Sequence, residues 1–383
     1  MNITLIEPFF TGSHAAWATG YSRHSGHHID ILSLSGHHWK WRMHGGAVTL
    51  ATKFMESDAR PDLLFVTDML DLTTFLALTR RRTAHLPVVI YFHENQICYP
   101  WSSRDRDIGH QRDHHYGFIN YSSALAADKV VFNSRYHHDA FLDALPRFLK
   151  QFPDRKEMQT VETIRAKSCV LHLGVDLHRF SAPAILHQKD PYINQTPLIV
   201  WNHRWEYDKN PEDFFQALFA LYEQGLDFRV AVLGENFRRS LPIFETARHK
   251  LGNRIVHFGY AENFEQYAQW LHRADILPIT SKQDFFGASI VEALYCDCCP
   301  LLPKRLTYPE LVPYEKHSDV FYHDFQDLVG KLAGYVQHID TVRKRSFRQC
   351  VEPYDWRNMA SEYDAVFNTV QQRFEIPGRR ITL

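Results

Sequence analysis

One stretch constrains this chain more than any other: SKQDFFGASIVEALYCDCCPLLPK, Ser281 to Lys304. The preceding ADILPITS reads as a buried strand, and ASIVEALY after Gly287 reads as a helix. The strand passes into the helix through an acid and a Phe-Phe-Gly turn. That arrangement is built to hold a negatively charged ligand. The first-turn N–H groups of a helix have no partners within it, and the helix dipole adds positive potential there. The candidates are Asp284, Phe286, Gly287, Ala288 and, on the helix, Glu292. A carboxylate before the turn can accept sugar hydroxyls. One on the second helical turn can accept another pair, such as those of a ribose.

A second cluster, NHRWEYDKNPE (Asn202 to Glu212), follows another strand, LIVW. Arg204 and Lys209 are the pair that matters: both can reach one diphosphate and stabilise charge on a leaving nucleoside diphosphate. Alone they read equally as surface cations flanking a helix that begins at Asn210 and Pro211. The acid-glycine turn downstream favours the functional reading. Tyr260, in RIVHFGY, is a further candidate on the donor side.

The rest of the chain fits that frame. NITLIE, DLLFVTD, PVVIYFHEN and DKVVFNS are strand-to-loop junctions, with helical stretches such as DLTTFLALTRRR and NYSSALAA between them. Strands alternating with helices indicate a parallel, doubly wound α/β sheet. APAILHQKDPYINQTP reads as a linker, and a second α/β half follows it. The expected division is an N-terminal domain over 1–185, a C-terminal domain over 196–350, and a helical segment, 351–383, crossing back to the first half. Two such halves would face each other across a cleft. At 383 residues and 45% hydrophobic, the chain can fill two cores and is not of disordered type.

The first half offers its own candidates. Gly12 and Ser13, in FFTGSH, let backbone approach a ligand closely; His14 follows them. His93, Glu94 and Asn95 stand in a row just past a buried strand, where a cleft is expected. Cys296, Cys298 and Cys299 read as small core residues. The 24 histidines raise the question of a metal, but His24, His27, His28, His37, His38, His114 and His115 show no ligand spacing, so none is expected.

Charge excludes less. The formal net charge is −1, so no global basic field announces a polyanion partner, though a local basic face would suffice. The clusters Arg80–Arg82, Arg343–Arg345 and Arg379–Arg380 read singly as solvated faces. Six scattered cysteines form no disulfide framework. Met1 runs straight into a strand, so no leader is expected, and no run reaches the ~18 apolar residues of a membrane span. A cytoplasmic protein without membrane attachment or an obligate protein partner is expected.

These residues resemble a family. Arg204, Lys209, Asp284, Gly287 and Glu292 look like the donor site of retaining GT-B glycosyltransferases, which include glycogen synthases and many mannosyltransferases. IEPFFTGSH, HHWKWR (His37 to Arg42), YFHENQICYP, RDHHYG, VVFNS, HRWEYDKNPEDFF, LGENF, DFFGASIVEALYC and YPEL together resemble the tRNA-queuosine α-mannosyltransferases. The resemblance implies a GT-B fold and transfer of mannose from GDP-mannose, with retention, to the cyclopentenediol of queuosine in tRNA-Asp. It implies that Arg204 and Lys209 bind the diphosphate, that Asp284 meets the mannose and Glu292 the ribose, and that Gly12 approaches the donor. No metal cofactor is implied. The wider family usually has Glu where this chain has Asp284. On the acceptor side the candidates are His14, Trp39, Lys40, Arg42, His93, Glu94, Asn95, Arg112 and Tyr116, with Arg104 and Arg106 as further phosphate contacts. His38, Trp39 and Trp41 could stack an unpaired base or belong to the core. The competing readings are a related enzyme with a small-molecule or lipid acceptor, a catalytically silent nucleic-acid-binding protein on the same scaffold, and a nucleotide-sugar epimerase.

Overall fold

The computed structural model describes residues 1–101, 114–182, 185, 196–234 and 241–375. Arg104, Arg106, Arg112, Arg379, Arg380 and residues 235–237 of LGENF lie outside that set. The chain forms two compact units. Met1–Val175 joins the helix Trp356–Glu375 in unit 1, and Asp176–Asp355 forms unit 2.

Each unit is built on a six-stranded sheet whose neighbouring strands all run parallel. Unit 1 contains β1 (Asn2–Phe10), β2 (His28–Ser35), β3 (Leu63–Thr67), β4 (Val88–Phe92), β5 (Lys129–Phe132) and β6 (Ser168–Val170), in spatial order β2-β1-β3-β4-β5-β6. LLFVT and VVIYF are buried at every position, as strands covered on both faces must be. Unit 2 contains β7 (Leu198–Trp201), β8 (Arg229–Val232), β9 (Ile255–Phe258), β10 (Ile276–Pro278), β11 (Cys299–Pro303) and β12 (Phe321–Tyr322), in order β12-β11-β10-β7-β8-β9. The strand order reverses between β1 and β3 in unit 1 and between β7 and β10 in unit 2. At such a switch point the loops leave in opposite directions and open a crevice at the carboxyl ends of the strands.

The C-terminal helix belongs to unit 1 because of its apolar stripe. Trp356, Met359, Ala360, Tyr363 and Phe367 recur at helical spacing and are all buried. Tyr363 and Phe367 pack on Phe65, and the Tyr363 ring stacks on Tyr91 at 5.8 Å. Trp17 Nε1 donates to the Tyr363 hydroxyl at 3.0 Å, which donates to the His172 carbonyl at 2.9 Å. Gly20 and Gly174 make room for Trp356: a Cβ on either would lie 2.0 or 2.4 Å from its indole.

The unit boundary falls at Val175/Asp176 rather than near residue 185, and the return to unit 1 starts at Trp356 rather than at 351. The physical reason is packing. In the turn Leu177–Ser181, Phe180 lies edge-on to Phe264 of unit 2 and accepts a 2.7 Å bond from His272. Arg348 donates to the Tyr295 carbonyl at 2.8 Å, which keeps that segment in unit 2.

Asp364 is the polar anchor of the C-terminal helix. It accepts from the Tyr21 and Ser25 hydroxyls at 2.7 Å each and from the Gly26 N–H at 2.8 Å. A hydrogen bond to a charged group contributes about 1.5–3 kcal/mol. Asp364→Ala is expected to destabilise unit 1 by about 2–3 kcal/mol in chemical denaturation, since part of the loss is recovered by hydration. A change below about 0.5 kcal/mol, the usual size for a neutral surface substitution, would remove this anchor from the account.

Candidate active site

The switch point of unit 2 gathers the donor-side candidates. The segment after β7 carries Asn202 to Asn210, and the segment after β10 carries Thr280 to Gly287. Backbone and side chains bind the two together. The Thr280 hydroxyl donates to the Lys209 and Asn210 carbonyls at 3.1 and 2.9 Å, and Lys282 N–H donates to the Asp208 carbonyl at 2.7 Å. Asn202 Nδ2 donates to the Ser289 carbonyl at 2.7 Å, tying the end of β7 to the helix Ala288–Tyr295. Gly287 caps that helix at φ +87°, where a Cβ would be strained and would meet Ile290 at 3.1 Å.

Lys209 and Asp284 meet there. Lys209 Nζ donates to Asp284 Oδ1 at 2.6 Å and to the Gln283 carbonyl at 2.9 Å, and it lies 3.4 Å from Asp208 Oδ2. The Tyr308 hydroxyl donates to Asp284 Oδ2 at 2.7 Å. Burial opposes charge on both partners, but each holds the other ionised. Lys209 stays above the usual lysine value, and the Asp284 carboxyl stays below the usual carboxylate range. His203, behind them, is pushed by burial to about 4 and is neutral, with Nδ1 3.0 Å from the Ser289 hydroxyl. Arg204 is half exposed and pairs with Glu206 at 3.3 Å.

Glu292 projects from the helix at the same crevice. The Tyr267 hydroxyl donates to its Oε2 at 2.7 Å. Burial raises the carboxyl to about 7, against that bond and the charge of Arg179. The Phe286 ring is buried edge-on against Tyr354, and Tyr260 is 72% exposed beyond β9.

The switch point of unit 1 gathers a second polar cluster. Glu7 is fully buried in β1, and its Oε2 takes His14 Nδ1 at 3.0 Å. Gly12 and Ser13 are exposed at the start of the helix Gly12–His24, which carries His14. Asp68 follows β3, and His93 follows β4 and donates its N–H to Asp68 at 2.8 Å. Burial works against a charged His14, yet Glu7, and beyond it Asp68 and Glu94, raise it to about 9. The same burial, with His14 beside it, lowers His93 and keeps it neutral. The two imidazoles lie 4.3 Å apart, and His93 Nε2 is buried without a hydrogen-bond partner among the described residues. Glu7, His14 and His93 have donor atoms within 4.8 Å of one another, a set that could hold a metal ion. With Nδ1 of a protonated His14 on Glu7, they are arranged as an ion pair beside a neutral histidine.

The remaining first-half candidates divide. Glu94 accepts from Gln96 at 2.9 Å. Asn95 is wholly buried, and its carbonyl oxygen accepts from the N–H groups of Ile97 and Cys98, so it shapes its own loop. Arg42 donates to the Ser35 carbonyl and hydroxyl. Lys40 lies over the rings of Trp39, Trp101 and Tyr116 at 5.4–5.9 Å, and Trp39 and Tyr116 pack with Met43, Met69 and Ile119. Trp41 is 63% exposed. Glu7, Asp68, His203, Tyr267 and Tyr308 were not among the sequence candidates. Glu7 and Asp68 had a signal: each is an acid within or just after an otherwise apolar strand. All six cysteines are free, and Cys296, Cys298 and Cys299 are buried. Among the described residues, no helix is long and apolar enough to cross a membrane.

Two units, each on a six-stranded parallel α/β sheet, with cations and carboxylates converging at the switch point of the second, give the GT-B architecture. The same architecture occurs in sucrose-phosphate synthase from Thermosynechococcus elongatus, with TM-score 0.68 and 14% identity over 97% of this chain and 99% of that one. Anabaena HepE in complex with UDP and glucose matches with TM-score 0.66 and 14% identity, over 96% of this chain and all of that one. Residues 2–175 match the model of the tRNA-queuosine alpha-mannosyltransferase N-terminal family, and residues 185–327 match glycosyl transferases group 1. A Drosophila melanogaster protein named tRNA-queuosine alpha-mannosyltransferase is 34% identical over 348 residues, 90% of this chain and 89% of that protein. The chain belongs to the tRNA-queuosine alpha-mannosyltransferase family, and it is a hexosyltransferase.

The ion pair in unit 1 has a pH signature. His14 is raised on folding, so its contribution is complete below pH 6.5 and lost as the pH rises through about 9. His14→Gln is expected to destabilise the protein below pH 6.5, with the gap to wild type narrowing through pH 9 in denaturation curves. A gap that does not change with pH would show that the charge on His14 contributes nothing.

Proposed function

We propose that this protein transfers mannose from GDP-mannose to the cyclopentenediol of queuosine in tRNA-Asp, with retention of configuration and without a metal cofactor. The observation that carries the donor side is the Lys209–Asp284 pair at the unit 2 switch point, beside Arg204 and the N-terminus of the helix Ala288–Tyr295. Both cations are paired with carboxylates, and an arriving diphosphate replaces those counter-ions. Glu292, nearby, accepts the ribose hydroxyls when ionised. The acceptor assignment is supported by the name of the Drosophila relative and by unit 1. There Lys40, over the half-buried Trp39 ring, and the exposed Trp41 supply charge and a flat surface for RNA, while Tyr116 is buried in the cluster beneath them.

In the proposed reaction the bond from the mannose anomeric carbon to the diphosphate oxygen breaks. The acceptor hydroxyl forms its bond to that carbon on the same face, and its proton passes to a phosphate oxygen of the leaving GDP. No side chain is assigned as nucleophile. Lys209, Arg204 and the helix N-terminus supply preorganised charge stabilisation, and the rest of the site supplies positioning.

The direct test is incubation with GDP-mannose and queuosine-containing tRNA, followed by mass analysis of the nucleosides. A hexose added to queuosine in the tRNA, with free nucleoside a poor acceptor, is the expected result. No hexose transfer, or free nucleoside used as well as the tRNA, would overturn the reading. Arg204→Ala and Lys209→Ala are each expected to lower kcat about 10²–10³-fold with the fold intact, and EDTA is expected to leave the rate unchanged. Near-normal rates in both variants, or EDTA inactivation reversed by a divalent ion, would contradict the donor-site assignment.

A further inference from the structure

We infer that Tyr308 is a positioning residue of the donor site, its hydroxyl holding the Asp284 carboxylate in one orientation while Lys209 engages the diphosphate. The inference rests on the donor reading above and concerns a residue that touches neither the sugar nor the phosphates.

The geometry is specific. Asp284 has two carboxylate oxygens, and each has a partner of a different kind: Oδ1 takes the Lys209 ammonium at 2.6 Å, and Oδ2 takes the Tyr308 hydroxyl at 2.7 Å. Lys209 has three N–H donors, two of them already used on Asp284 and the Gln283 carbonyl. A diphosphate carries more negative charge than one carboxylate and competes for that ammonium. The bond at Oδ1 therefore weakens or breaks just as the sugar arrives. A freed carboxylate on a short side chain can rotate, and a rotating group makes a poor acceptor for a sugar hydroxyl.

The bond at Oδ2 is not subject to that competition. Tyr308 is neutral and fully buried. Burial and the charge on Asp284 push its phenol well above the usual tyrosine value, so it remains a donor across the working range of pH. Its backbone is fixed as well. It opens the short helix Tyr308–Leu311, which has Pro309 in its first turn, in the segment after β11. β11 pairs with β10, the strand that leads to Asp284. The loop after β11 thus brings a rigid donor to the switch point from 24 residues downstream. Tyr308 belongs to YPEL, which the donor motif itself does not include.

Tyr308→Phe removes the hydroxyl and keeps the ring. The measurements are the affinities for GDP and GDP-mannose by calorimetry, with kcat and KM for transfer to the tRNA. GDP affinity is expected to stay within about twofold, and kcat/KM for GDP-mannose to fall about 10–100-fold, the range for losing a hydrogen bond to a charged group. Asp284→Asn is expected to show a comparable fall, and Tyr308→Phe added to it to cost little more, because the two act as one unit. Unchanged kcat/KM in Tyr308→Phe would overturn the inference. So would equal loss of GDP and GDP-mannose affinity, which marks general damage to the site, or full additivity in the double variant. A wild-type protein that binds neither GDP nor GDP-mannose removes the donor reading itself and this inference with it. A wild type that binds both, with Tyr308→Phe unaltered, removes the inference alone.

Discussion

The contact between Lys209 and Asp284 is the interaction around which the donor site of unit 2 is arranged. Two opposite charges at 2.6 Å, both largely buried, are stable only because each compensates the other. Removing either leaves an uncompensated charge at the site, a local cost that the six-stranded sheet of unit 2 carries without unfolding. The sheet order makes the contact possible. Lys209 lies beyond β7 and Asp284 beyond β10, and these strands are adjacent only because the winding reverses there. The Thr280 and Asn202 bonds then fix the two segments against each other.

Unit 1 solves a similar problem with different groups. Its reversal brings together Glu7 of β1, His14 of the helix that follows, and Asp68 and His93 just past β3 and β4. The charges are resolved by sharing: Glu7 and His14 form an ion pair, and His93 stays neutral beside it. A buried imidazole nitrogen without a partner among the described residues has lost its hydration, at a cost of about 1–3 kcal/mol.

What was legible in the chain follows from how local each signal is. The strand, turn and helix around Asp284 lie within about twenty residues, so residue type and spacing disclose both their structure and their chemistry. The paired α/β halves were legible for the same reason, since buried strands such as VVIYF announce themselves by composition. Tyr308 was not, because its hydroxyl matters only through a carboxylate 24 residues away. Asn95 stands just past a buried strand, and its side-chain oxygen is used by the loop that carries it, while its Nδ2 is buried without a partner among the described residues. Arg42 similarly has a partner in Ser35, which periodicity and charge could not reveal. Phe286 carries the turn motif, but its ring packs against Tyr354. In each case the residue type was visible and the partner its side chain takes in the fold, near or far along the chain, was not.

A structure of the protein with GDP bound tests the central claim most directly. The account predicts the diphosphate at the carboxyl ends of β7 and β10, with a phosphate oxygen within hydrogen-bond distance of Lys209 Nζ, Arg204 beside it, and the ribose hydroxyls on Glu292. GDP bound away from that switch point, or there with Lys209 making no contact to a phosphate, would contradict it.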